Sequence, residues 1–148
     1  VRFPWHLHLQ KLERALATKD VSAAEVAWQE AYLEAIGSRR WEGLIEVGDA
    51  YLRIAELTGG RRNAQSKARR LYLAALFRAR NQESWDGIAR ATEAFAVLGD
   101  REMAEQGIRM AERLAAQGRE AEPSDRVREF KERLATRFRW GKGAAFDP

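Results

Sequence analysis

The sequence predicts an all-α fold, a solenoid of three helical hairpins followed by a C-terminal capping helix, and three observations predict it. The 148 residues hold 26 Ala against 11 Val plus Ile, with proline only at Pro4, Pro123 and Pro148, so strong helix breakers are nearly absent from the interior. Apolar residues recur at three- and four-residue steps, as in Trp41, Leu44, Ile45, Gly48, Tyr51, Leu52 and Ala55, and never alternate over a long stretch as strands would. A pattern also repeats. Asp20 is followed by Ala24, Glu25, Trp28 and Ala31, and 80 residues later Asp100 is followed by Ala104, Glu105, Ile108 and Ala111 at the same offsets.

The elements follow in order. A first helix over 5–18 stops at Lys19-Asp20, and Asp20 can accept the free N–H groups of a second helix over 21–36, which Gly37 ends in the left-handed conformation. A third helix spans 40–57 and breaks at Thr58-Gly59-Gly60 with Arg61-Arg62; Asn63 is placed to cap a fourth over 63–80. Asn81-Gln82-Glu83 lead into a fifth over 84–98. Gly99 ends that helix and Asp100 caps a sixth over 101–117, which Gly118 terminates. Pro123 and Ser124 introduce a seventh over 124–139. Short connections make neighbouring helices antiparallel hairpins, here about 5–37, 39–81 and 84–118 within one domain of 1–140, ahead of a tail at 141–148.

The hairpins share a seam. Ala68, Tyr72 and Ala75 repeat the small–large–small order of Ala24, Trp28 and Ala31, and Leu44, Val47, Gly48 and Tyr51 correspond to Ile88, Ala91, Thr92 and Phe95. Small residues let helix backbones approach, and the large residue one turn away fills the space that opens. With Gly48-Asp49-Ala50-Tyr51 on a first helix and Gly99-Asp100 at an intrahairpin turn, residues 5–117 resemble the tetratricopeptide repeat (TPR) family, built from hairpins of about 34 residues. The first hairpin has Leu12 and Ala15 at the glycine and tyrosine positions, and the middle one carries roughly eight extra residues around 58–62, lengthening its helices or projecting its turn. The resemblance implies a right-handed α-α superhelix. It also implies a concave groove, lined by the first helix of each hairpin, that takes a peptide.

The last helix differs. Val127, Phe130, Leu134 and Phe138 form one narrow stripe among charged residues from Arg126 to Arg139, the pattern of a cap that hides a stacking face; a free stripe would instead mark a partner or membrane helix. Trp28 and Trp41 fall on apolar stripes and are expected to anchor the core. Trp5 and Trp140 lie near the chain ends, where exposure would make either a binding anchor.

Composition and spacing argue against several chemistries. There is no Cys, and His6 and His8, two apart, point roughly 200° away from each other on a helix and cannot share a metal there. No serine or threonine is marked as a nucleophile. Gly141-Lys142-Gly143 lacks the upstream glycine, the hydroxyl residue after lysine and the following helix of a phosphate loop. No run reaches a membrane span and no N-terminal stretch reads as a signal peptide. The expectation is a cytoplasmic, non-enzymatic protein with no cofactor or metal. Because the chain opens at Val1, it is also expected to be trimmed from something longer.

Two surfaces compete for function. Transferring the repeat register places Glu13, Asp49 and Glu93 at one position of the three first helices; Glu42, Glu46 and Asp86 lie on the same helices, with Leu9, Ile45, Leu52, Ala89 and Ala96 as apolar neighbours. A groove of this kind favours a protein or peptide partner carrying Lys or Arg. The same residues also read simply as solvated helix carboxylates. The rival is charge. The net charge of +4 is uneven, +4 over 41–81 and −4 over 82–122, and from Leu57 to Gln82 there are seven basic residues (Arg61, Arg62, Lys67, Arg69, Arg70, Arg78, Arg80) and no acidic one. Such a helix could hold nucleic acid or another anionic surface, although the acidic segment after it would repel a polyanion running along the whole array. A third reading is an assembly or sensor domain of a larger regulator, with oligomerisation through exposed repeat ends.

Overall fold

The computed structural model describes residues 3–117 and 124–138, which form seven α-helices and no strand among them: α1 (Pro4–Ala17), α2 (Val21–Ser38), α3 (Trp41–Thr58), α4 (Arg61–Asn81), α5 (Trp85–Leu98), α6 (Arg101–Ala116) and α7 (Ser124–Phe138). Gly118, Pro123, the side chain of Ser124, Arg139, Trp140 and the tail with Gly141-Lys142-Gly143 lie outside the described residues. By compactness the chain divides into an N-terminal unit, Val1–Arg78, and a C-terminal unit, Ala79–Pro148.

Most helix ends follow the local code. Asp20 accepts the Ala23 N–H and Asp100 the Met103 N–H, each at 3.1 Å, and Gly99 takes the left-handed conformation at φ 80°. Two ends differ from expectation. Gly37 lies inside α2, and the left-handed residue is Arg39 at φ 62°. The reason is Ser38, whose hydroxyl donates to the Ala35 carbonyl at 2.7 Å and accepts the Arg40 N–H at 3.1 Å, carrying the helix past the glycine. Asn63 likewise sits within α4. The first bond of that helix runs from the Ala64 N–H to the Gly60 carbonyl at 3.0 Å, so the extra residues of the middle hairpin lengthen its helices, to 18 and 21 residues, and only Gly59 and Gly60 separate them.

The small-residue seam is buried in every hairpin. Ala24, Ala31, Ala68, Ala75, Ala104 and Ala111 are fully inaccessible, and Trp28, Tyr72 and Ile108 are buried beside them. Trp28 also donates from Nε1 to the Val47 carbonyl at 2.7 Å, tying α2 to α3. Trp41, expected as a core anchor, is only half-buried. Trp5, at the chain end, is fully buried. At two positions in the N-terminal unit glycine is required by close approach: a Cβ on Gly43 would lie 2.8 Å from that of Ala35, and one on Gly48 would lie 2.7 Å from the Tyr72 ring.

Contacts at a constant spacing set the helix directions in the N-terminal unit. His6 of α1 meets Glu46 of α3, 40 residues on, and Glu13 near the end of α1 meets Arg53 near the end of α3, so α1 and α3 run parallel. Lys67 of α4 lies over Trp28 of α2, and Arg78 reaches the C-terminal carbonyls of α2, so these two helices run parallel as well. With each hairpin antiparallel, the unit is two hairpins side by side in register.

In the C-terminal unit α7 packs on the α5–α6 hairpin. Asp86 meets Arg126, 40 residues on, and Glu93 faces Arg133 at 3.8 Å, so α7 lies parallel to α5 as α3 lies parallel to α1. Phe130 and Leu134 are buried, and the Trp85 and Phe130 rings meet edge to face at 5.5 Å. Val127 and Phe138, the outer members of the predicted stripe, are half-buried. The other side of α7 is polar: Asp125, Arg128, Glu129 and Glu132 are exposed.

Candidate functional site

The residues expected to line a groove are divided between the two units. In the N-terminal unit, Glu46 is held twice. Trp5 donates to its Oε1 from Nε1 at 3.1 Å, and the His6 Nε2 approaches the same oxygen at 2.9 Å. Because the His6 Nδ1 accepts the Phe3 N–H at 3.2 Å, the neutral ring carries its proton on Nε2 and points it at the carboxylate. Glu42 pairs with Arg40 at 2.9 Å, Glu13 pairs with Arg53, and Asp49 accepts the Tyr72 hydroxyl. Ile45 is buried, whereas Leu52 and Leu9 are half-exposed. In the C-terminal unit, Ala89 and Ala96 are buried, Glu93 faces Arg133 and Asp86 pairs with Arg126.

Every carboxylate singled out by the register therefore has a cation or a hydrogen-bond donor of its own. Four of the contacts bridge a first helix to the helix 40 residues on: His6–Glu46, Glu13–Arg53, Asp86–Arg126 and Glu93–Arg133. They form polar rungs between stacked helices in each unit. Such rungs are not strong. Glu13 and Arg53 are each nearly half exposed, and exposed pairs contribute about 0.2–1 kcal/mol, so a partner's cation can displace the internal one.

Asp49 is bound more firmly. Tyr72 is buried and its hydroxyl donates to the carboxylate; burial first, and the hydrogen bond and negative charge of Asp49 next, push the phenol far above its ordinary range. The folded protein thus keeps Tyr72 protonated where the unfolded chain ionises it, near pH 10. Below that pH both states hold the proton and this group adds no pH dependence; above it stability falls, by up to about 1.4 kcal/mol per pH unit. Urea unfolding between pH 8 and 11 should show this loss in the parent protein, reduced in Tyr72→Phe, and equal slopes would contradict it.

The basic segment separates into two roles. Arg61, Arg62, Arg69, Arg70 and Arg80 are exposed. Lys67 instead lies over the rings of Trp28 and Tyr51, 5.0 and 4.9 Å from their centroids. Arg78 donates to the carbonyls of Ala35, Ile36 and Arg40 at 3.1–3.4 Å, where it meets the negative end of α2, and desolvation together with nearby Arg39 lowers its pKa. Lys67 and Arg78 are therefore part of the architecture.

No known protein family, curated protein or solved structure matches this chain. Its surface must be read from its own geometry. Among the described residues no three of His, Asp and Glu converge to hold a metal ion, and no helix is long and apolar enough to cross a membrane. What the sequence reading missed is the set of rungs and the Arg78 cap. The signal for the rungs was present, because opposite charges recur 40 residues apart at Glu13/Arg53, Asp86/Arg126 and Glu93/Arg133.

Proposed function

We propose that this chain is a non-catalytic protein-interaction module of tetratricopeptide-like build, in which stacked hairpins present a preformed surface to a basic peptide or protein. The observation that carries this reading is the parallel, in-register pairing of α1 with α3 and of α2 with α4. Hairpins stacked in this way present rigid surfaces, so a flexible partner loses conformational freedom on binding while the module loses little. The polar outer side of α7, where Asp125, Arg128, Glu129 and Glu132 are exposed, supports its role as a cap on the α5–α6 hairpin.

On this reading the partner lies along the α1/α3 layer, where Glu13, Glu42 and Glu46 flank half-exposed Leu9 and Leu52. Its cations displace Arg53 and Arg40 from their carboxylates. The test is a fluorescence titration with two labelled peptides of equal apolar content, one rich in Lys and one in Glu. The basic peptide should bind and the acidic one should not. Glu13→Gln with Glu42→Gln should weaken binding about three- to tenfold, as expected for losing two exposed charge pairs. Equal affinity for both peptides, or no change in the double variant, would remove the groove assignment.

A further inference from the structure

The second helices of the N-terminal unit carry an outer surface that the groove reading does not use. On α2, Val26 and Leu33 are 62% and 61% exposed, one heptad apart, so they stand on the same side of the helix. Isolated exposed apolar residues are ordinary, but here Ile36, 39% exposed, extends the pair towards the end of the helix. Glu25 borders the stripe on one flank, and Glu30 and Glu34 border it on the other. Within Val21–Ser38 there is no Lys or Arg. Neither Glu25 nor Glu34 has a cationic partner among the described residues.

The neighbouring helix has the opposite chemistry in the same arrangement. Aligning the seams, with Ala24 on Ala68 and Trp28 on Tyr72, puts Val26 in register with Arg70 and Leu33 with Phe77, so the matching face of α4 presents Arg70 and the 39% exposed ring of Phe77. Half-exposed Leu73 lies between them and Arg62 lies towards the helix start. From Arg61 to Asn81 there is no Asp or Glu. An acidic helix with an apolar stripe thus runs parallel to a basic helix with one.

We infer that this face is the contact between two copies of the chain. A two-fold axis along the helix direction, between α2 and α4, sets α2 of each copy against α4 of the other. Each acidic row then meets a basic row twice, and the apolar stripes close between them. An axis across the helices would oppose α2 to α2 and carboxylate to carboxylate, which selects the first arrangement. The face is self-complementary because its two halves differ in sign. A partner of a single charge would satisfy only one of them. The surface is separate from the α1/α3 layer, so this inference stands whatever the groove binds.

Sedimentation equilibrium on the full chain tests it. The parent protein should sediment as a dimer at low salt and shift towards monomer as salt is raised to about 0.5 M, where screening shortens to a few ångströms. Arg62→Glu with Arg70→Glu reverses the charge at the contact positions of α4, so that both helices present carboxylates to the partner copy; Glu25→Arg with Glu34→Arg makes both present cations. Each alone should be monomeric, with at least tenfold weaker self-association, and the two mixed in equal amounts should form a heterodimer. All four sites are exposed, and circular dichroism of each variant checks that its helices are intact. If one variant fails to fold, the concentration dependence of the parent's mass still decides. A parent that remains monomeric at high concentration, or variants that dimerise as the parent does, would overturn the inference. So would a monomeric parent that binds an oligonucleotide at low salt through Arg62 and Arg70, which would make the basic half of the face a phosphate site.

Discussion

Trp5→Ala should destabilise the N-terminal unit by about 3–5 kcal/mol, the range for truncating a buried aromatic residue. The side chain is fully inaccessible, and its indole lies against Gly43, where an added Cβ would sit 3.1 Å from two ring atoms. Phe3 stacks on it with centroids 4.6 Å apart, and Arg40 in turn covers the Phe3 ring. Its Nε1 donates to Glu46, so the substitution removes both a packing anchor and one donor to a carboxylate of the α1/α3 layer. Trp5→Phe separates the two effects, because it keeps most of the ring and loses the hydrogen bond; it should cost about 1–2 kcal/mol. Trp41→Ala is the comparison, since that residue is only half-buried and its loss should cost less than Trp5→Ala. Urea unfolding followed by far-ultraviolet circular dichroism measures all three. A Trp41→Ala cost equal to that of Trp5→Ala would mean that α1 is held by something other than this ring.

Trp5 also shows where sequence reasoning reached and where it stopped. The seven helices were legible because period, Asp caps and glycine stops agree locally, and the buried alanines were legible because they recur at the same offsets. The role of Trp5 was not, since a residue near a chain end has few neighbours in sequence to fix its face; its partners Gly43 and Glu46 lie on α3. Gly37 and Asn63 were misplaced for a related reason. A stop or cap residue is a local signal, and Ser38, aided by Arg78 from α4, outweighs it at the end of α2. The candidate groove was legible as a list of carboxylates but not as paired groups. Pairing depends on which helix lies beside which, and that is set by stacking. Only the repeat spacing carries this information, and it does so through charge reversals such as Glu13/Arg53.

Gly107→Ala should be the most disruptive single-methyl change in the C-terminal unit, costing about 3 kcal/mol, at the upper end for overpacking. A Cβ there would lie 2.0 Å from the Thr92 Oγ1 and 2.9 Å from its Cβ and Cγ2. Thr92 cannot easily turn away, because it is fully buried and its hydroxyl donates to the Ile88 carbonyl at 2.6 Å. The exchange is instructive, since alanine is otherwise the better helix former by about 1 kcal/mol. Thr92 occupies the first-helix position that Gly48 holds in the middle hairpin, where the large facing residue is Tyr72. Each crossing therefore needs one small partner, and which helix supplies it has switched between hairpins. Thr92→Ala removes the Oγ1 and Cγ2 contacts and leaves only the Cβ at 2.9 Å, so Gly107→Ala should cost less in that background. The double-mutant cycle should give a coupling of about 2–3 kcal/mol. Additive effects would show that α5 and α6 separate enough to admit a methyl group, and that close approach at this crossing does not hold the C-terminal hairpin together.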